Sequence, residues 1–255
     1  MSRVVVVDIG NTSTAVGLVR NGRLAGTRHV RSRRRSQDGV LKVVHDVAGK
    51  RPIDGTVLCS VVPRLGRTWR AALRKLSSAD PLVVDHKLDL GVAIDYPKPT
   101  SIGGDRLANA CGAVSRYGAP AIVADFGTAL TFDVISAERA YVGGVIAPGL
   151  PFMTDYLAEK AALLPHIRLH GRYGAVGKST AGAMRLGAKV GYRGMVREIV
   201  KYLESNLGLR KARLCATGGY AEWALEGLDI PFTVDPELTL HGLTEIYKRN
   251  CGGQE

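Results

Sequence analysis

The sequence predicts an α/β protein built from two similar halves. Two segments, Asp8–Thr12 and Asp125–Ala129, share the pattern Asp-x-Gly followed by Asn or Thr. Each comes directly after a run of small and β-branched apolar residues typical of a buried strand, and two further strands are predicted after each copy. A repeated unit of three strands followed by helix predicts two halves, over residues 1–118 and 119–255, that face each other across a ligand-binding cleft.

The first half begins with three predicted strands. The run Val4–Asp8 predicts a strand buried on both faces, Thr14–Arg20 a second strand and Arg23–Val30 a third. The Asn-Gly pair at 21–22 predicts a tight hairpin turn between the last two. The further predicted elements are a helix at Ser36–Ala48, a strand at Gly55–Val62 closed by Pro63, a helix at Thr68–Leu76, a strand at Pro81–Val84, a loop over Leu88–Gly104 and a helix at Arg106–Tyr117.

The second half repeats the pattern of strands and then continues mainly as helices. Its predicted strands are Ala121–Asp125, Ala129–Ile135 and Tyr141–Ile146, with a late strand at Arg213–Ala216. Its predicted helices are Phe152–Leu163, Thr180–Asn206 and Ala221–Leu225. The late strand ends in Thr217-Gly218-Gly219, a turn signal.

Length and composition are those of a globular protein that does not cross a membrane. The chain has 255 residues, of which 45% are hydrophobic and 23% charged. No stretch approaches the run of about 20 apolar residues that crosses a bilayer. The apolar run that follows Arg3 is too short for a signal peptide and ends at Asp8. We therefore expect a cytoplasmic protein that does not bind membranes.

The net charge of +12 indicates an anionic ligand of some kind. The densest cluster of basic residues is Arg31, Arg33, Arg34 and Arg35. We favour a solvated loop over a nucleic-acid patch there, because no aromatic residues interleave the arginines and no nucleic-acid-binding motif accompanies them. ATP is an equally suitable partner for a basic chain, and we expect no nucleic-acid partner.

The first Asp-x-Gly segment has the groups that bind phosphate. Gly10 permits a tight turn close to a ligand, and backbone N–H groups with the side chains of Asn11, Thr12 and Ser13 can donate hydrogen bonds to phosphate oxygens. Asp8 would be repelled by phosphate and suits Mg²⁺ or water beside it. For a single copy, an ordinary hairpin turn explains the segment equally well.

The second copy favours a phosphate site over a hairpin turn. By the same argument Thr128 would contact a phosphate and Asp125 a cation. Two such loops from opposite halves can bind the β- and γ-phosphates of one nucleotide. This is the arrangement of the actin-like ATPase and sugar kinase superfamily, whose ribonuclease-H-like halves the chain resembles at both loops. The Gly218-Gly219 turn then resembles the adenosine-side signal of that superfamily.

The segment Gly103–Arg106 precedes a predicted helix and has two interpretations. Asp105 could be a helix cap with a surface arginine beside it. Alternatively, the positive end of the helix keeps Asp105 ionised, so that it accepts a proton, while Arg106 binds a carboxylate or phosphate. The spacing alone does not decide between the two.

Over nearly its full length the chain resembles the type III pantothenate kinases. The segments that carry the resemblance are Asp8–Thr12, Ser60–Pro63, Tyr96-Pro97 with Gly103–Arg106, Asp125–Ala129, Gly143–Gly149 and Gly177–Thr180. The link Lys98–Ile102 is a little longer than usual in that family, and Gly104 stands where alanine is common. These departures leave the order of the motifs unchanged.

The resemblance implies a role for each of these segments. Asp105 would be the general base that accepts the proton of the pantothenate hydroxyl. Pantothenate would be bound by Tyr96, Gly103, Gly104, Asp105, Arg106 and Thr180. ATP would be bound by Asp8, Ile9, Gly10, Asn11, Thr12, Ser13, Thr14, Ala15 and Thr128. It also implies Mg²⁺ with the nucleotide, a potassium or ammonium ion on Asp125, and a homodimer whose pantothenate pocket lies near the subunit interface.

Two alternatives remain open at this point. The loops would equally suit another kinase of the superfamily that acts on a sugar or an acyl acid, and only Gly103–Arg106 argues for pantothenate. A basic regulatory protein could have kept the fold without catalysis. Such a protein would be expected to have lost one of Asp8, Asp105 or Asp125, and all three are present.

Overall fold

The computed structural model describes residues 2–169, 171, 173–209 and 211–252. Contacts divide the chain into two compact units, neither of which is one continuous stretch. The first unit contains the chain up to Ala119, the segment Ile135–Gly143 and the chain from Glu237 onward. The second contains Pro120–Val134 and Gly144–Pro236.

The first unit is built on a five-stranded sheet in the order β3-β2-β1-β4-β5. Its strands are β1 (Arg3–Ile9), β2 (Ser13–Arg20), β3 (Arg23–Arg31), β4 (Gly55–Ser60) and β5 (Leu82–Val83). The two hairpin pairs are antiparallel, whereas β4 runs parallel to β1 and places Cys59 opposite Asp8. Asn21 and Gly22 both have positive φ, so the predicted hairpin turn is confirmed.

Helices cover both faces of this sheet. They are α1 (Gln37–Ala48), α2 (Pro63–Leu73), α3 (Gly104–Tyr117) and, more than a hundred residues later in the chain, α7 (Leu238–Cys251). Val5, Val7 and Ile9 share a core with α1 and α2. Val6 lies on the other side, close to Leu240 of α7. The continuous apolar run of β1 is therefore explained by burial on both faces, as predicted.

Helices α3 and α7 pack against each other through two glycines. A Cβ on Gly242 would collide with the carbonyl of Ala108, and one on Gly112 would lie 2.6 Å from the carbonyl oxygen of Leu238. The buried amide of Asn109 accepts a hydrogen bond of 2.7 Å from Thr239. These contacts fix the helix that carries the Gly103–Arg106 segment at its start.

The second unit holds most of a second sheet, in which the strands follow the order β11-β10-β7-β8-β9. The strands are β7 (Ala121–Phe126), β8 (Ala129–Ile135), β9 (Ala140–Pro148), β10 (Arg213–Thr217) and β11 (Thr233–Val234). Helices α4 (Leu150–Lys160), α5 (Thr180–Asn206) and α6 (Ala221–Leu225) accompany them. In the first unit, the short strand β6 (Ala93–Ile94) pairs in parallel with Ala140-Tyr141 of β9.

The structure differs from the expected elements in four places. Helix α2 begins at Pro63, which occupies its first turn, and not at Thr68. The segment Leu88–Gly104, expected to be a loop, contains β6 and a short 3-10 helix at Pro99–Ser101. Strand β11 and helix α7 were not predicted. Within the described part of the chain, no helix has both the length and the apolar composition needed to cross a membrane.

Candidate active site

The first Asp-x-Gly loop connects β1 to β2 and is held by its own backbone and by Ser32. The Gly10 N–H donates to the Ser13 carbonyl over 3.0 Å. The Ser32 hydroxyl donates to the Gly10 carbonyl over 2.6 Å and lies 2.8 Å from the hydroxyl of buried Thr14. Asn11, Thr12 and Ser13 are exposed at the tip of the loop, as a phosphate-binding role requires. The side chains of Ile9 and Ala15 are buried, so only their backbone is suited to contact ATP.

Cys59 contacts one of the predicted functional carboxylates and is influenced by the charge of another. Its thiol donates a hydrogen bond of 3.2 Å to the Asp8 carboxylate. Burial raises the pKa of Cys59 well above its ordinary value, and the charges of Asp8 and Asp105 raise it further, so the donor proton is retained. Gly104 also packs here, since a Cβ on it would lie 3.1 Å from the Cβ of Cys59. The structure therefore brings Asp8 and Asp105 close to one buried thiol.

Asp105 is the second residue of α3 rather than its N-cap, which is Gly103. The Asp105 carboxylate accepts a hydrogen bond of 2.8 Å from the backbone N–H of Arg106. Burial raises the pKa of Asp105, although that hydrogen bond and the Arg106 charge act in the opposite direction. Burial is thus the largest influence on the pKa of this carboxyl, and the hydrogen bond at the helix start opposes it. A base with a raised pKa accepts a proton more readily.

Gly104 fits the site more closely than alanine would. A Cβ at this position would lie 3.2 Å from the Val84 carbonyl oxygen as well as close to Cys59. Contacts this short require neighbouring atoms to shift by a few tenths of an ångström. The glycine, where alanine is common in the family that the sequence resembles, therefore lets α3 begin close against β4 and the end of β5.

Tyr96 and Arg106 contact the same buried ring. The Tyr96 ring meets Tyr141 edge-on, with centroids 6.1 Å apart and an interplanar angle of 78°. The Arg106 guanidinium lies over Tyr141 at 5.9 Å from the ring centroid. The link Lys98–Ile102 is occupied by the 3-10 helix, in which the Ser101 hydroxyl donates to the Lys98 carbonyl. Tyr96 and Arg106, distant in sequence, are thus placed around Tyr141.

The second Asp-x-Gly loop connects β7 to β8 in the second unit. The Gly127 N–H donates to the Ala129 carbonyl over 3.1 Å, as in the first loop. Gly218, at φ +91°, lies so close that a Cβ on it would be 2.5 Å from the Asp125 carboxylate. Gly149, the N-cap of α4, abuts the carbonyls of Gly127 and Thr128. The two loops of the sequence repeat therefore have different neighbours.

A cluster of aromatic side chains, here called the aromatic wall, packs against Phe126 of the second loop. The buried ring of Phe126 contacts Tyr192 of α5 and Phe232, with centroids 6.3 Å and 6.4 Å apart. Burial raises the pKa of Tyr192, and the charge of Asp125 raises it further, so this phenol stays neutral. The Tyr220 N–H donates to the Phe126 carbonyl over 3.1 Å and joins the Gly218-Gly219 turn to the loop.

Thr180, the remaining predicted substrate residue, is the first residue of α5 in the second unit and is exposed. The Ser179 hydroxyl before it caps the helix by accepting from the Gly182 N–H over 3.1 Å. Among the described residues, no three His, Cys, Asp or Glu side chains form a group that could hold a metal ion. The donor set at each loop is one carboxylate, which suits a cation that takes its remaining ligands from phosphate oxygens and water.

Four residues around the site were not identified from the sequence: Ser32, Cys59, Tyr141 and Tyr192. Ser32 follows β3 and contacts Gly10 from 22 residues along the chain, and Tyr192 of α5 contacts Phe126 at the end of β7. Cys59 has the appearance of an ordinary small core residue until the parallel pairing of β1 and β4 places it opposite Asp8. Tyr141 has no sequence signal beyond its position just before the Gly143–Gly149 motif.

Comparison with known proteins identifies relatives across almost the whole chain. A family model described as Type III pantothenate kinase matches residues 4–202. A protein of that name from Akkermansia muciniphila is 49% identical, with 74% of this chain and 76% of that protein covered. Another from Dehalococcoides mccartyi is 38% identical, with 97% of this chain and 96% of that protein covered.

Solved structures with little sequence identity share the fold. A ROK family glucokinase from Streptomyces griseus, in complex with glucose and AMPPNP, has a TM-score of 0.54 at 16% identity and covers 99% of this chain and 100% of its own. Component A of (R)-2-hydroxyglutaryl-CoA dehydratase from Acidaminococcus fermentans has a TM-score of 0.57 at 13% identity, covering 97% of each chain. These neighbours confirm the predicted α/β fold class.

Proposed function

Because the chain belongs to the type III pantothenate kinase family, we propose that its two Asp-x-Gly loops and the Gly103–Arg106 segment carry out the transfer of phosphate from ATP to pantothenate. The protein is an ATP-dependent kinase that phosphorylates pantothenate to 4′-phosphopantothenate, the first step of coenzyme A biosynthesis. Its curated relatives bear the name of this kinase and not of a sugar or acyl-acid kinase. One observation carries the assignment of the site. The partly buried Asp105 directly follows Gly104, which packs against the side chain of Cys59, and the Cys59 thiol donates to the Asp8 carboxylate of the first Asp-x-Gly loop.

Asp105 is the proposed general base. Phosphoryl transfer depends mainly on positioning and on stabilising charge, but the attacking alcohol must still lose its proton. Asp105 is held by the first turn of α3, and its raised pKa makes it a stronger base than a free aspartate. Helix α3 is in turn held by α7 through Gly112 and Gly242. This rigid support suits a group that must meet a hydroxyl at hydrogen-bond distance.

Pantothenate binding is assigned to the residues around α3. Arg106 is suited to the carboxylate of pantothenate, because a guanidinium can bind a carboxylate through two parallel hydrogen bonds. Gly103 and Gly104 allow close approach of the substrate to the start of α3. Tyr96, which is 37% exposed, presents a ring to solvent beside them. Thr180 is proposed to contribute from the start of α5.

ATP is assigned to the two loops, through Asp8 to Ala15 in the first and Thr128 in the second. Backbone N–H groups and hydroxyls at the exposed tips of both loops suit phosphate oxygens. Mg²⁺ bound with the nucleotide would offset the charge that develops on the phosphates, and we propose that the Asp8 carboxylate helps to hold it. Asp125 is proposed to bind potassium or ammonium, as in the family that the sequence resembles, since its carboxylate belongs to the second Asp-x-Gly loop and lies against the Gly218 turn.

A homodimer is the proposed assembly. The second unit exposes apolar side chains along α4 and the segment after it, where Phe152 and Tyr156 are each 47% exposed and Leu163 is 91% exposed. Side chains of this kind are typical of a surface covered by a partner. We propose the cytoplasm as the location, because that compartment supplies ATP. Sedimentation of wild-type protein and of a Phe152→Ser, Tyr156→Ser variant checks the assembly, and a wild-type monomer at micromolar concentration would contradict it.

Replacing Asp105 with asparagine tests the base. Asp105→Asn keeps the size and the acceptor at the helix start but removes basicity, so kcat should fall by about 10² to 10⁴. The KM for ATP should stay within about threefold, since the phosphate loops are unchanged. Asp95→Asn, in an exposed stretch nearby, is the matched control and should keep nearly full activity. A variant that keeps kcat but loses ATP affinity would place Asp105 in the nucleotide site instead.

The pH profile gives a second test of the same role. Burial raises the pKa of Asp105, and a general base works only when it is deprotonated. Activity should therefore fall as the pH drops through that raised pKa, above the value of about 3.9 for a free aspartate. The acid limb of kcat/KM for pantothenate measures it. A limb that is unchanged in Asp105→Asn would belong to another group.

A further inference from the structure

Tyr141 occupies a position from which it cannot touch a substrate but can control residues that do. It is the second residue of β9 and only 1% exposed. Its ring nevertheless contacts both Arg106, in the first turn of α3, and Tyr96, which lies two residues after β6. The two proposed pantothenate-binding side chains thus share one buried aromatic support within the first unit.

The contact with Arg106 restricts the orientation of a long, flexible kind of side chain. An arginine has several rotatable bonds and loses much rotamer freedom when it is fixed. The guanidinium lies over the Tyr141 ring at 5.9 Å, within the range of a cation–π contact. Such a contact favours orientations in which the guanidinium is already placed before a carboxylate arrives, which lowers the entropic cost of binding.

The contact with Tyr96 involves both the backbone and the ring of Tyr141. Strand β6 pairs with β9 so that Ile94 stands opposite Tyr141, and the Asp95 N–H donates to the Tyr141 carbonyl over 3.0 Å. Tyr96 follows directly, and its ring meets the Tyr141 ring edge-on at 6.1 Å. This edge-to-face arrangement is favourable for aromatic pairs. The pairing of β6 with β9 therefore determines where Tyr96 projects.

From this geometry we propose that Tyr141 is a positioning residue of the pantothenate site. Its ring holds Arg106 and Tyr96 in the orientation in which they bind pantothenate, with Arg106 directed by the contact toward the substrate carboxylate. The inference rests on the proposed function, because it assumes that Arg106 and Tyr96 contact pantothenate. It assigns to Tyr141 no contact with ATP and no part in proton transfer.

Two substitutions at Tyr141 distinguish the role of the ring from that of the hydroxyl group. Tyr141→Phe keeps the ring, so the KM for pantothenate should stay within about twofold. Tyr141→Leu removes both ring contacts and should raise that KM by roughly tenfold, the loss expected for two aromatic contacts. The KM for ATP and kcat at saturating pantothenate should stay within about twofold in both variants.

A loss of stability must be distinguished from a loss of positioning. Trp69→Leu, at a buried aromatic residue of α2 in the same unit, is the matched control. It should lower the melting temperature at least as much as Tyr141→Leu while leaving the KM for pantothenate unchanged. If Trp69→Leu raises that KM as much as Tyr141→Leu does, the effect of Tyr141 is general destabilisation and the proposal is overturned.

A double-mutant cycle with Arg106→Gln decides whether Tyr141 acts through Arg106. We expect Tyr141→Leu to raise the KM for pantothenate by only about threefold or less in the Arg106→Gln background, because only the Tyr96 contact remains to be lost. The full tenfold effect in both backgrounds would overturn the proposal. A wild-type protein that fails to phosphorylate pantothenate would instead refute the proposed function, so the two failures are distinguishable.

Discussion

The two Asp-x-Gly loops share a sequence pattern and a backbone turn but have different surroundings. In both, a glycine N–H closes the turn on a carbonyl two or three residues later. The Asp8 carboxylate accepts a hydrogen bond from a buried thiol and lies in the unit that carries Asp105. The Asp125 carboxylate instead lies against Gly218, in front of an aromatic wall.

This contrast indicates that the motif determines the turn, and we propose that the neighbours determine the role of each aspartate. A phosphate-binding turn requires only the aspartate, the glycine and donors at the tip. On this proposal, residues outside the repeat decide whether the aspartate binds a divalent ion near the base or a monovalent ion elsewhere.

The close approach of Gly218 to the second loop should be the most sensitive point. In Gly218→Ala, the new methyl would lie 2.5 Å from the Asp125 carboxylate and 2.6 Å from the Phe126 carbonyl carbon, at a φ of +91° that alanine rarely adopts. We expect kcat/KM for ATP to fall by about 100-fold, or about 2.7 kcal/mol. Gly219→Ala is the matched control, because its Cβ would meet no atom within 4 Å. Equal activity of the two variants would show that the second loop tolerates displacement.

The two aspartates should respond differently to monovalent cations. We expect Asp125→Asn to lower the rate about tenfold to 100-fold and to abolish stimulation by potassium, since it removes the charged ligand proposed for that ion. Asp8→Asn should instead raise the Mg²⁺ concentration needed for activity while keeping the potassium response. Rates measured against each cation separately check both. A wild-type enzyme equally active in sodium and potassium buffers would refute the monovalent site.

The first unit should also show a pH-dependent contribution to stability. The hydrogen bond with Glu237 raises the pKa of His29 and lowers that of Glu237. Because the pKa of His29 is raised in the folded protein, its protonation stabilises the fold fully below the unfolded-state pKa of about 6.5. This stabilisation is lost as the pH rises through the folded-state pKa. Because the pKa of Glu237 is lowered in the folded protein, its ionisation stabilises the fold above the unfolded-state pKa of about 4.3. This stabilisation is lost as the pH falls through the folded-state pKa of Glu237.

The stabilisation should therefore be largest between about pH 4.5 and 6.5 and should decline towards pH 8. Because the His29 side chain is 51% exposed, we expect less than about 1 kcal/mol. Denaturant unfolding of wild-type and His29→Gln protein at pH 6 and pH 8.5 measures it. Arg28→Gln, which breaks the neighbouring pair with Asp46 at 2.9 Å, is the control and should give the same loss at both pH values.

The arginine cluster should have the smallest effect. Replacing Arg33, Arg34 and Arg35 with serine should leave kcat and both KM values within about twofold, because neither phosphate loop has a described contact with them. Steady-state kinetics at physiological salt checks this. A loss near 100-fold, about 2.7 kcal/mol of transition-state stabilisation, would reveal an ATP contact from the cluster.

Local patterns predicted the elements around the site well, but not the contacts between them. The strand run of β1, the Asn21-Gly22 turn and the N-terminus of α5 at Thr180 were all readable from neighbouring residues. The positions of Cys59 and Tyr141 depend instead on strand pairing across 45 residues or more. Such pairing is set by the whole sheet, so a single segment carries no signal for it. The residue assignments at the site remain predictions.

Helix α7 was missed because its local signals are weak. It has no side-chain cap at its start, and it contains Gly242 together with Thr239 and Thr244, which are poor helix formers. Its stability comes from packing on α3, where Gly242 is required for close approach. Pro63 was interpreted only as the end of a strand, with the next helix expected to begin at Thr68. A proline is also favoured in the first turn of a helix, and α2 begins at Pro63.

The packing of α7 on α3 has a consequence for synthesis of the protein. Helix α3 ends at Tyr117, but its glycine-faced partner begins only at Leu238, after the whole second unit has been translated. Closing so long a loop is slow compared with forming local contacts. On the ribosome, the helix that carries Asp105 should therefore lack its support from α7 until α7 has left the exit tunnel. We expect nascent chains to bind no substrate at the start of α3 until that late stage.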